Sequence, residues 1–165
     1  MQSETRYPDS KNANSIKAGN DFEDLITVVL WIRGIILQVF KEKKQQYKWG
    51  ESVQGIEIKY DGNCSRTQRL SIEVEERTAI NNPWVKSGIY GKSWLYVQGN
   101  EEIAFLFFTH FLIGLHSAKY LGKEKEEATI KAFYLSFADC KKYGVEVHPT
   151  TEENNYWANI GWRNA

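Results

Sequence analysis

The sequence predicts an α/β fold: a mixed sheet with a long buried helix at its N-terminal end and further helices at its flanks. Three observations carry that expectation. An apolar run with helical spacing lies between residues 20 and 40, several short apolar runs have strand length or strand alternation, and helix-like segments sit between the later strands. At 165 residues and 42% hydrophobic content the chain suffices for one core. Residues 20–165 are therefore expected to form a single domain, and the polar residues 1–19 a flexible arm or a peripheral turn of helix.

The long helix comes first. Asn20 reads as its N-cap with Glu23 three positions on, and Phe22, Leu25, Ile26, Val29, Ile32, Ile36 and Phe40 follow at helical spacing. Val28, Leu30, Trp31, Ile35 and Val39 occupy the other sides, which predicts burial around most of the circumference. KEKKQQYK, residues 41–48, reads as its solvated C-terminal end, where cations suit the helix dipole. Strands over about residues 55–61 and 70–75 follow, joined by GNCSRTQR, and read as a hairpin. After the loop INNPWVKSGIYGKS, the segments SWLYVQG and EIAFLFF pair across a turn near Gly99 and Asn100. FLIGLHSAKYL is a second helix, KEKEEA a charged surface turn, TIKAFYLSF another strand and ADCKKYG a short helix. The end, from HPTTEENN onward, reads as a loop that Tyr156, Trp157, Ile160 and Trp162 tie down.

Charge and motif content exclude several classes. The 21 basic residues balance 21 acidic ones, so there is no global positive field of the kind a non-specific nucleic-acid coat carries. Two cysteines, Cys64 and Cys140, cannot make a multi-disulfide framework and match no zinc pattern, which suits a reducing cytoplasm. The run LITVVLWIRGIILQVF is 16 residues long and is interrupted by Arg33, so neither a membrane span nor an export signal is read. G-x-S-x-G, P-loop and dinucleotide fingerprints are missing. His110 and His116 are not spaced as ligands on one helix face, and Cys140 has no base at a readable spacing, so it reads as a structural thiol.

The chemistry concentrates in GIEIKYDGNCSRTQRLSIEVEER, residues 55–77. Alternation puts Ile56, Ile58 and Tyr60 on one face with Glu57, Lys59 and Asp61 on the other; it likewise separates Leu70, Ile72 and Val74 from Ser71, Glu73 and Glu75. If the apolar halves share a face of a hairpin, Lys59 stands opposite Glu73 and Glu57 opposite Glu75. Four carboxylates then surround one lysine. A divalent cation would offset their repulsion; a solvated face with a Lys59–Glu73 ion pair would need no function at all.

A strand ending in an acid, a short connection, and a next strand with an acid-x-acid or acid-x-lysine triplet resembles the active-site hairpin of the PD-(D/E)XK nuclease superfamily. The matching residues are Asp61 and the triplet Glu73-Val74-Glu75. GESVQGIEIKYD, LSIEVEER and SGIYGKSWLYVQGN also look like uncharacterised bacterial and phage proteins of that superfamily, and the likeness covers roughly residues 20–108. It implies a restriction-endonuclease-like fold and Mg²⁺- or Mn²⁺-dependent hydrolysis of DNA phosphodiester bonds. Asp61, Glu73 and Glu57 would hold the metal, with Glu75 or Lys59 acting on the water. Glu23 is the candidate helix acid, with capping as its plain alternative. Glu75 stands where the family carries lysine and Tyr60 where it carries proline, so Lys59 becomes the stand-in. A second registration takes Glu57-Ile58-Lys59 as the triplet, with Glu51 as the upstream acid.

Arg66, Arg69, Lys44 and Lys48 are candidate phosphate contacts, along with Lys41 and Lys43. Cutting both strands of a duplex with so small a chain points to a homodimer. The rival expectation is a non-catalytic nucleic-acid- or protein-binding module of the same fold.

Overall fold

The structure is a computed structural model that describes residues 10–38, 52–119 and 125–160. Helix α1 spans Ser10–Ile32. It starts ten residues before the expected cap, so Asn20 is an interior position, and the residues from Ser10 to Gly19 are helical, continuous with the long helix and not an arm or a separate turn. Its buried side chains are Phe22, Ile26, Val29 and Leu30, spaced at i, i+4, i+7 and i+8. One stripe is therefore covered, with Trp31 47% exposed, rather than most of the circumference. Burying Phe22 or Ile26 in this way contributes roughly 1.5–3 kcal/mol each.

The helix stops at Gly34. Gly34 takes φ +83, its N–H donates to Trp31 O at 2.9 Å, and the Ile35 N–H donates to Leu30 O at 2.8 Å. These two bonds make a Schellman cap, which needs a left-handed residue that glycine supplies without strain. The expected continuation through Ile36 is thus absent, and its solvated end at residues 41–48 lies outside the described residues.

Two four-stranded sheets follow. The first has the order β1 (Ile56–Tyr60), β4 (Leu95–Gly99), β5 (Ala104–Phe108), β8 (Val145–Val147), with β1 parallel to β4 and the other neighbours antiparallel. The second is antiparallel and has the order β3 (Val85–Lys86), β2 (Arg69–Glu76), β7 (Ile130–Ser136), β6 (Lys125–Glu126). The chain is mixed α/β as expected, and SWLYVQG and EIAFLFF do pair across the Gly99 turn. The hairpin of residues 55–77 does not form. Ile56 to Tyr60 pair with Leu95 to Gly99, so Glu57 stands beside Tyr96 and Lys59 beside Gln98. In the other sheet Glu73 stands beside Ala132, and Glu75 beside Lys86 and Lys131. Neither Lys59 opposite Glu73 nor Glu57 opposite Glu75 exists as a register pair.

The first sheet is covered on both faces, which is why every residue of β4 is buried. On one side Ile56, Leu95, Val97, Ala104 and Val147 pack with Phe22, Ile26 and Leu30 of α1. On the other, Tyr96, Phe105 and Phe107 pack with Leu70, Ile72 and Val74 of β2 and Phe133 and Leu135 of β7. The face assignment along β1 and β2 is therefore as alternation predicted, although the partners differ.

Four further helices complete the described residues: α2 (Cys64–Thr67), α3 (Thr109–Ser117), α4 (Phe137–Tyr143) and α5 (Pro149–Asn159). Helix α5 replaces the expected terminal loop. Pro149 sits in its first turn, where a missing N–H costs nothing, and its side chains dock on α1. Trp31 meets Tyr156 edge to face at 5.4 Å, and the Arg33 guanidinium donates to both Glu152 oxygens, at 3.0 and 2.9 Å. Burial pushes the Glu152 carboxyl up, but the Arg33 and His148 bonds outweigh it and hold it below the usual range.

A candidate acid and lysine site between the sheets

Where β1 ends, the two sheets meet without a shared ladder. Two side chains bridge them at Ser71, whose N–H donates to Asp61 Oδ2 at 3.4 Å and whose carbonyl accepts from Gln98 Nε2 at 2.9 Å. In an extended strand these two groups of one residue point to the same side, so Asp61 and Gln98 together satisfy the edge of β2 that a neighbouring strand would otherwise cover. Asp61 Oδ1 also accepts from the Asn63 N–H at 3.2 Å, and the Asp61 N–H donates to Gly99 O at 2.7 Å. The connection GNCSRTQR then folds into α2, where the buried Asn100 side chain donates to Ser65 Oγ at 2.8 Å.

These contacts frame a cavity of about 260 Å³. Lys59, Tyr60, Asp61, Tyr96 and Gln98 line it from the first sheet, and Ser71, Glu73, Ala132, Tyr134, Ile130, Lys125 and Glu127 from the second. Asp61, Glu73 and Lys59 thus meet, but across two sheets rather than within a hairpin. Three carboxylates and two ammonium groups share the space. Glu73 accepts from Ser87 Oγ at 2.6 Å, which fixes its carboxylate two residues along from Ser71 on the same face of β2. Tyr60 donates to Glu101 at 3.4 Å, and burial together with that carboxylate pushes the phenol up, so it stays protonated at neutral pH. Lys125 has its ammonium held in the charged form by Tyr134 and by Glu127, 3.0 Å away.

The other expected residues fall outside the cavity lining. Glu57 is 6% exposed and pairs with Lys59 at 3.1 Å, so it orients the lysine. Glu75 pairs with Lys131 at 2.8 Å, which occupies the position of an activated base with an ion pair. Glu23 lies on α1, which packs against the opposite face of β1. Arg66 is exposed and donates to Asn63 at 3.3 Å. Arg69 lies over the ring of the lining residue Tyr134 at 4.0 Å and is not itself part of the lining. Glu51, Lys44 and Lys48, with Lys41 and Lys43, lie outside the described residues. Cys140 is a buried structural thiol, as expected, and His116 is satisfied by the Tyr90 hydroxyl at 2.7 Å.

Among the described residues no group of three His, Cys, Asp or Glu side chains is placed to hold a metal ion. Asp61 and Glu73 nevertheless suit Mg²⁺ or Mn²⁺ in kind. A magnesium site characteristically uses one or two carboxylates and takes its remaining ligands from water and substrate phosphate. The donor types along the cavity wall are hard oxygens, with neither thiolate nor imidazole among them.

Sequence reasoning overlooked Gln98, Ser71 and Tyr134. The signal for Gln98 was there: it is an amide in the otherwise apolar strand LYVQG, and such a residue has to find a partner or a ligand inside the protein. Its Nε2 has Ser71, whereas Oε1 is buried without a hydrogen-bond partner. Leaving a buried acceptor in that condition costs about 1–3 kcal/mol. No family model, no curated protein and no solved structure matches the chain.

Proposed function

We propose that the protein is a metal-dependent nuclease that hydrolyses DNA phosphodiester bonds at the cavity between its sheets. The observation that carries this reading is the meeting of Lys59, Asp61 and Glu73 in one cavity although they stand on strands of separate sheets. Asp61, Glu73 and the stand-in Lys59 of the PD-(D/E)XK resemblance line one cavity although the hairpin of that resemblance does not form, and a restriction-endonuclease-like relationship is part of the proposal on those residues alone.

In this reading Asp61 and Glu73 hold Mg²⁺ or Mn²⁺, which when bound supplies charge neutralisation and a more acidic water. The chain's own residues do the positioning. Asp61 is fixed by two backbone N–H groups and Glu73 by the Ser87 hydroxyl, so neither carboxylate has to reorganise when the phosphate arrives. Lys59, oriented by Glu57, faces the charge that develops on the non-bridging phosphate oxygens as water adds to phosphorus and the P–O ester bond breaks. Arg69, stacked over the lining residue Tyr134, can hold an adjacent phosphate. Two copies acting as a homodimer would supply a site for each strand of a duplex.

Among the described residues no helix is long and apolar enough to cross a membrane. A cytoplasmic setting belongs to the proposal, in keeping with two free, buried thiols.

The test is cleavage of plasmid and oligonucleotide DNA with Mg²⁺ or Mn²⁺ by the wild type, Asp61→Asn and Glu73→Gln. The expected result is cleavage that EDTA abolishes and that each variant reduces by about 100-fold or more. Absence of cleavage with either ion, or unchanged rates in both variants, overturns the reading.

A further inference from the structure

We infer that Gln98 is the third oxygen of a divalent-cation site that it shares with Asp61 and Glu73. The inference rests on the reading that these two acids hold a cation, and it adds a neutral ligand that the nuclease motif does not contain. Gln98 stands on β4 and is 4% exposed. Its amide orientation follows from its partner: the Ser71 carbonyl can only accept, so the group 2.9 Å from it is the NH₂. Oε1 is thereby left as the buried acceptor, with no hydrogen-bond partner, on a residue that lines the cavity of Asp61 and Glu73.

Ser71 ties two of them together, its N–H holding Asp61 and its carbonyl holding Gln98, and Glu73, two residues further along β2, lines the same cavity. Two carboxylates and an amide oxygen form a hard-oxygen set whose charge balances a doubly charged cation, and amide oxygens are ordinary ligands of such ions. The backbone bond from Nε2 gives the amide a fixed outer contact, in the way that ligand side chains are oriented at metal centres. A substrate N–H or O–H could also satisfy Oε1, and that alternative predicts no effect on the cation in the absence of DNA.

The experiment is a Mn²⁺ titration of the full chain without DNA, followed by electron paramagnetic resonance. It uses the wild type, Gln98→Met and Gln98→Leu, with plasmid cleavage measured on the same samples. Each variant removes Oε1 and should weaken Mn²⁺ binding about tenfold. If one of them fails to fold, the other decides. Wild-type affinity in the variants that fold overturns the inference, and the nuclease reading then stands if cleavage persists. Binding that depends on Gln98 without any cleavage supports the site and overturns the nuclease reading. No Mn²⁺ binding by the wild type overturns both.

Discussion

Replacing Lys59 with methionine removes the ammonium 3.1 Å from a carboxylate, that of Glu57, whose side chain is only 8% exposed. At an effective dielectric constant of about 20, the Coulomb attraction over that distance is about 5 kcal/mol. Part of it is offset because Lys59 gives up hydration to sit there, and part is screened because its side chain is 30% exposed. The net loss should therefore fall below the 3–5 kcal/mol typical of breaking a fully buried pair, at about 2 kcal/mol, which lowers Tm by about 4–8 °C in a domain of this size. The companion variant, Glu57→Gln with Lys59→Met, removes both charges and should recover at least about 1 kcal/mol of that loss. Urea melts at pH 7 measure the stabilities, and plasmid cleavage measures the function. Cleavage should be lost in both variants, because the double variant restores the fold without restoring the cation at the cavity. A single variant within about 0.5 kcal/mol of wild type, or a double variant no more stable than the single, would refute the reasoning.

The buried thiols predict a stability that falls in mild alkali. Burial pushes Cys64 up to about 11 and Cys140 up to about 12, against about 8.5 for an unfolded thiol. Because the folded pKa values are raised, the stabilisation is complete below pH 8.5 and is lost as pH rises toward the folded values. By pH 9.5 the loss is about 1.4 kcal/mol per thiol, or about 2.8 kcal/mol for both. Urea melts at pH 7.5 and 9.5 should show this difference in the wild type and not in Cys64→Ala with Cys140→Ala; equal pH dependence in the two proteins would sink the argument. Gly88→Ala drives a methyl group into the Glu73 carbonyl oxygen at a residue with φ +53. It should cost about 2 kcal/mol or more and, by displacing Glu73, reduce cleavage too; a variant of wild-type stability would show that the neighbouring backbone yields more easily than its packing indicates.

What the sequence made legible is local. Alternation in IEIKY and RLSIEVEE correctly separates Ile56 and Leu70 from Lys59 and Glu73, because the period of a strand is a property of its own backbone. Pairing is a property of the whole chain. The hairpin expectation failed because α2 and the Asp61 turn carry the chain out of plane, and β4 and β7, far along the sequence, offered the ladders that β1 and β2 took. Helix α1 was extended too far because the apolar spacing continues past Gly34, and a single left-handed glycine outweighs that periodicity. At the other end, α5 was overlooked because its polar run TTEENN conceals a helix whose stability comes from docking Tyr156 and Glu152 on α1. The site followed the same division. Asp61, Glu73 and Lys59 were readable as residue types; Gln98 left a signal as a polar residue in an apolar strand, but its place beside the acids came only with the pairing of β1 and β4.

The bridging of the sheets at Ser71 has a consequence for how the site can be altered. Asp61 is both a proposed ligand and a hinge pin between two layers that share no strand-to-strand ladder. Chemistry and architecture therefore draw on the same carboxylate, and truncating it opens a joint as well as removing a charge. A change that keeps the shape, such as asparagine, leaves one oxygen to accept a backbone N–H and sets its NH₂ against the other, so it removes the charge and one bond but keeps the length. A change that shortens the side chain alters the angle at which the two walls of the cavity meet, and with it every distance across the site.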